Sequence, residues 1–106
     1  MSVRSWIPIA ILMTMLDDAE LDAIEVRCQA ASPGPWMAFV EGRDHWGGYD
    51  FIRVSDRDEE PDMYVSRAEI GSIRPASTAD LDFTAAARQD IPALLAEVRR
   101  MRSEGP

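Results

Sequence analysis

Lysine is missing from this chain; all eleven basic residues are arginine. With the many alanines, that bias reflects a GC-rich coding sequence and says nothing about chemistry. Positive charge is scarce altogether: 11 basic residues against 19 acidic ones leave a net charge of −8 and a pI near 4.5. A duplex nucleic-acid binder needs a basic stripe to displace counterions, and an anionic membrane surface asks for the same. Neither class is expected. An acidic chain suits a soluble protein, or one that meets a basic partner surface.

Cysteine occurs once, at Cys28. An intramolecular disulfide is impossible, and a cysteine-based zinc cluster cannot be built from one chain. The cytoplasm of a host cell is the expected compartment, and Cys28, on the apolar side of a predicted helix, reads as a small core hydrophobe. His45 is the only histidine, which leaves no second imidazole for a metal triad, and no cofactor is expected. Long hydrophobic runs are also lacking. Residues 5–16 are strongly apolar, but fall far short of the roughly 20 residues a membrane helix requires. They imitate the first half of a signal peptide. However, no small-residue cleavage site follows, because the chain runs directly into Asp17-Asp18-Ala19-Glu20. We read residues 1–15 as an apolar extension, with Met13 or Met15 as a natural start, and 16–106 as a single domain. A short buried strand or interface segment is the next reading, ahead of a membrane anchor.

What is present is an ordinary globular mixture. The chain has 106 residues and 46% hydrophobic content, enough for one domain with a real core. Asp17 or Asp18 is placed to cap a helix beginning near Ala19, with Glu20 in its first turn. Leu21, Ile24, Cys28 and Ala31 then recur at helical spacing. Pro33 and Pro35 stop this helix, and Gly34 allows the reversal. Residues 36–41 and 50–55 read as strands joined by a glycine-containing connection. In the second strand Phe51 and Arg53 share one face, Ile52 and Val54 the other. Residues 63–66 read as a third strand and 69–74 as a short fourth. Ser77 or Thr78 caps the next helix, and Asp90-Ile91-Pro92 looks like a fresh N-terminus with proline in its first turn. A last helix follows, with a stripe of Ile91, Leu94, Leu95, Val98 and Met101. The expected fold is α+β: an N-terminal helix, a small antiparallel sheet of three to four strands, and two C-terminal helices packed on one face.

The densest polar stretch is Glu41-Gly-Arg-Asp-His-Trp-Gly-Gly-Tyr-Asp50. Asp44 beside His45 invites a general-base reading. Adjacent side chains rarely point the same way, and no serine or cysteine nucleophile sits in a recognisable motif, so no catalytic residue is assigned. The stretch reads better as a binding surface. Trp46 and Tyr49 offer flat faces; Arg43, His45 and Arg53 reach phosphate or a base edge; Asp44 completes the set. Trp36 belongs with the core. The acidic run 56–62 invites a calcium reading that fails, because Pro61 takes the glycine position of an EF-hand loop and Arg67 the bidentate glutamate position. A solvated turn protecting strand edges accounts for it, ahead of a partial mimic of a phosphate backbone.

Two blocks carry a resemblance. One is Leu21-Asp-Ala-Ile-Glu-Val-Arg-Cys-Gln-Ala-Ala-Ser-Pro-Gly-Pro-Trp36. The other is Ala79-Asp-Leu-Asp-Phe-Thr-Ala-Ala-Ala-Arg-Gln-Asp-Ile-Pro-Ala-Leu-Leu-Ala-Glu-Val98. Together they resemble the Ead-like small accessory proteins of phages and prophages, of the lambda early-region type. Those carry a helix ending in a T/S-P-G-x-W turn, a variable middle, and an A-D-x-x-F-I-A-x-A segment before a leucine-rich helix. Here Thr84 stands where isoleucine is usual, and the middle of the chain matches nothing in the pattern. The resemblance implies a non-enzymatic accessory protein that binds a host factor and counteracts host defence, and it supplies no catalytic residues. The alternative is an oligomeric sponge that sequesters a nucleotide signal through Arg43, Trp46, Tyr49 and Arg53. A hydrolase centred on Asp44 and His45 is the third reading. A homodimer or higher homo-oligomer is expected from the apolar N-terminus and the last helix.

Overall fold

The computed structural model describes residues 16–57 and 60–104. The apolar extension 1–15 and the middle of the acidic run, Asp58 and Glu59, lie outside the described residues.

Helix α1 spans Asp18–Ala30. Asp17 caps it: its carboxylate accepts from the Glu20 amide at 2.8 Å, and the Glu20 side chain accepts in return from the Asp17 amide. This reciprocal box satisfies two of the donors that a helix start leaves open. Only Leu21 is fully buried on this helix. Its C-terminal stop is a built turn. Gly34 adopts φ +78°, and a Cβ there would lie 2.8 Å from the Trp36 nitrogen, so only glycine fits. The Trp36 indole N–H donates to the Ser32 carbonyl at 3.0 Å, and Arg88 Nε donates to the same oxygen at 2.8 Å. The S-P-G-P-W stretch is therefore scaffold.

Strands β1 (Met37–Phe39) and β2 (Phe51–Arg53) pair antiparallel, with Ala38 opposite Ile52 and Phe39 opposite Phe51. Period-two alternation sends Ala38, Ile52 and Val54 into the core and Phe39, Phe51 and Arg53 to the outer face. The expected third strand at 63–66 contracts to a single bridge, in which Met63 and Ile52 exchange two backbone hydrogen bonds of 2.8 Å. The chain then forms a separate hairpin, β3 (Ser66–Glu69) and β4 (Ser72–Pro75), turning at Ile70 and Gly71. Two sheets of two strands thus replace the expected single sheet of three to four. The reason is compositional: the residues of β3 and β4 are all exposed, so nothing apolar ties the hairpin to the core sheet.

Helix α2 runs without interruption over Thr78–Ser103, with Ser77 as its cap. This corrects the expected break at 90–92. Asp90 is an exposed mid-helix residue and Pro92 lies within the helix. A mid-helix proline removes one hydrogen bond and costs about 3 kcal/mol. Packing holds the helix on both sides of it. Leu81 and Ala85 sit in the core with Ala38, Ile52, Val54 and Ala76, and farther along α2 packs against α1 around Pro92, Leu95 and Arg99.

Candidate functional site

The outer face of the β1–β2 sheet carries an aromatic cluster. The Phe39 and Phe51 rings stack 5.2 Å apart and nearly parallel, as cross-strand partners. His45 tilts against Phe51 at 5.2 Å, and Tyr64 meets the same ring at 5.7 Å. The Arg53 guanidinium lies 4.7 Å above the Phe39 ring, a cation–π contact. Arg53 and His45 are thereby committed to the sheet face, and His45 Nε2 is buried without a hydrogen-bond partner.

The loop between β1 and β2 closes on itself. The Arg43 and Asp44 amides both donate to the Val40 carbonyl, and Gly42 donates to the His45 carbonyl. Asp44 Oδ2 accepts from the Val40 amide at 2.8 Å and from Arg43 Nε at 2.8 Å. Glu41 accepts from the Gly47 amide, and Asp50 accepts from the Glu41 amide. The loop's acids thus satisfy its own backbone donors. Arg43 then ties the loop to α2 by a two-pronged contact with Asp82, both bonds 2.9 Å. The Asp82 carboxylate, followed by that of Asp44, raises the Arg43 guanidinium above its ordinary pKa. The Val40 amide, followed by Arg43, holds the Asp44 carboxyl below its usual range. Arg43 does the same for Asp82.

These contacts sort the sequence-derived candidates. Arg43, Asp44, His45 and Arg53 serve the architecture of the loop and sheet face. Among the described residues no hydrogen bond joins Asp44 to His45, whose side chains serve the backbone and the aromatic cluster respectively. Trp46 and Tyr49 are the two that project, at 73% and 77% exposure. Sequence reasoning passed over Tyr64 and Ile73, which with Tyr49 line a small cleft that also includes Asp50 and Arg74. The available signal was the period-two placement of Phe39 and Phe51, which marks the outer face as aromatic.

Among the described residues no group of three or more His, Cys, Asp or Glu is arranged to hold a metal ion. No described helix is long and apolar enough to cross a membrane. No family model, curated protein or solved structure matches the chain.

Proposed function

We propose that this is a non-enzymatic accessory protein of a phage or prophage that binds a host protein through the rim of the aromatic sheet face. One observation carries the reading: Trp46 and Tyr49 are 73% and 77% exposed on a loop closed by its own hydrogen bonds, and Tyr64, 60% exposed, lines the same cleft as Tyr49. Exposed aromatics on a loop are hard to account for by folding, and tryptophan and tyrosine are the residues that dominate binding energy at interfaces. A preformed loop also lowers the ordering cost of association. The phage setting is supported by the two resembling blocks, which serve here as helix, turn and packing face. A net charge of −8 favours a partner with a basic surface. A host defence component is the target class this setting favours.

The nucleotide-sponge reading has less support. Arg43 is occupied by Asp82 and Asp44. The cleft at Tyr49 and Tyr64 holds about 200 Å³, less than the roughly 300–1,000 Å³ of small-molecule pockets. It has room for one inserted side chain.

The test is affinity capture from host lysate, with native mass spectrometry of the purified protein in parallel. A host protein retained by the wild type should bind at least about thirtyfold more weakly to the Trp46→Ala/Tyr49→Ala double variant. A retained nucleotide mass that disappears in the same variant would move the reading to the sponge. A partner held equally by both forms would place the binding surface elsewhere.

A further inference from the structure

A second surface lies on α2, running from just beyond the Asp82 contact with the loop toward the helix's C-terminal end. Thr84, Ile91 and Val98 recur every seven residues, and so do Ala87, Leu94 and Met101. Together they form one apolar stripe with spacings of three and four, roughly 25 Å long at 1.5 Å rise per residue. The core does not use it. Leu81 and Ala85 bury a different side of the helix, and on the stripe Ile91, Leu94 and Met101 remain 44%, 64% and 51% exposed. Single exposed hydrophobics need no explanation, but a continuous stripe on a long helix does. The first heptad position is β-branched throughout, Thr84, Ile91 and Val98, and the second holds Ala87, Leu94 and Met101; β-branching at the first position suits a parallel two-stranded pairing.

Charge beside the stripe selects the same arrangement. One flank of the stripe faces α1: Arg88 and Leu95 line a groove with Cys28, and Arg27 of α1 edges the adjoining groove with Ile24, Ala87 and Ile91. The other flank carries Asp90. Among the described residues neither Arg27 nor Asp90 makes an ion pair, whereas Arg99, which also faces α1, pairs with Asp22 and Glu25. A two-fold axis parallel to α2 brings the α1 flank of one copy against the Asp90 flank of the other, setting Arg27 against Asp90 twice. An axis perpendicular to the helix would instead set Arg27 against Arg27 and acid against acid.

We propose that α2 is a dimerisation helix. Two copies of this chain pair with their α2 helices parallel through the stripe from Thr84 to Met101, and Arg27 of each copy meets Asp90 of the other. The pairing uses none of the aromatic face, whose Phe39 and Phe51 lie on the side of the β1–β2 sheet opposite the one packed on α2.

The experiment is mass determination by light scattering and sedimentation equilibrium on the full chain and its variants, with circular dichroism to check helicity. The wild type is expected as a dimer. Leu94→Glu, at an exposed position, should keep its helix signal and weaken the dimer at least about thirtyfold. Arg27→Asp and Asp90→Arg should each weaken it about threefold, and the two together should restore the wild-type constant. A monomeric wild type, a species larger than a dimer, or a dimer indifferent to Leu94→Glu overturns the proposal. Failure of the paired exchange to restore affinity overturns the parallel arrangement.

Discussion

Asp44 shows how much of the projecting loop depends on one side chain. Its carboxylate accepts from the Val40 amide and from Arg43, and these contacts hold it below the ordinary carboxylate range. A carboxyl whose folded pKa lies below its unfolded value stabilises the fold fully above the unfolded value. That stabilisation is lost as pH falls through the folded one. Asp82 is shifted in the same direction by Arg43, so the two act in the same acidic window. Asp44→Asn should therefore lower the melting temperature at neutral pH. The gap to wild type should close below about pH 4, the ordinary aspartate region. Thermal unfolding followed across this range checks it, and a gap that persists unchanged in acid would mean the charge is not what matters. The sequence shows Asp44 next to His45 and invites an acid–imidazole pair. It does not show that the carboxylate turns back to an amide four residues away, or that Arg43 finds Asp82 thirty-nine residues on. The first is a matter of loop conformation and the second of tertiary packing, and neither leaves a periodic trace.

Among the elements, α2 is where local rules and packing conflict. Asp90-Ile91-Pro92 looks locally like a new helix start, an N-cap residue with proline in the first turn, yet the helix passes through. The proline penalty is local, whereas the packing that offsets it extends along the helix on both sides, at Leu81 and Ala85 and at Leu95 and Arg99. If that account holds, Pro92→Ala should stabilise the protein by about 1–3 kcal/mol, since proline is about 3 kcal/mol worse than alanine in a helix interior. Urea unfolding should show a higher midpoint with an unchanged slope. A lower midpoint would mean that the ring's contacts beside Cys28 and Leu95 outweigh the lost hydrogen bond. Where capping and periodicity agreed with packing, the sequence was a good guide. Asp17 and Ser77 are caps, and the alternation in β2 correctly put Ile52 and Val54 on one face, which is the face the core buries. The third strand misled because Met63 does pair with Ile52, but alone. One bridge and a full strand look alike as a short run of Met, Tyr and Val.

For the whole molecule, stability is concentrated in one place. Six buried residues form the core where α2 crosses the β1–β2 sheet, and Ile52 and Leu81 are its largest fully buried side chains. The β3–β4 hairpin buries none of its residues and is held at its base, where the Ala76 amide donates to the Val65 carbonyl. Regions with few buried apolar contacts open locally, while the core exchanges only when the whole unit unfolds. Ile52→Ala should cost about 2–5 kcal/mol, a large part of the roughly 5–15 kcal/mol typical of a domain. Hydrogen exchange separates the two regimes. In the variant, amides of β2 and of α2 around Leu81 and Ala85 should exchange faster by the full loss in global stability. The amides of Arg67 and Arg74, a hydrogen-bonded cross-strand pair, should keep their wild-type rates, because they already exchange through the hairpin's own opening. Faster exchange there in step with the core would show that the hairpin unfolds with the sheet. In that case Tyr64, which leads from the core bridge into the hairpin, would be held by the same cooperative unit as Trp46 and Tyr49. The expected split places Tyr64 at the junction of a rigid loop and a yielding hairpin, so a partner that inserts a side chain between Tyr49 and Ile73 can widen the cleft without disturbing the core.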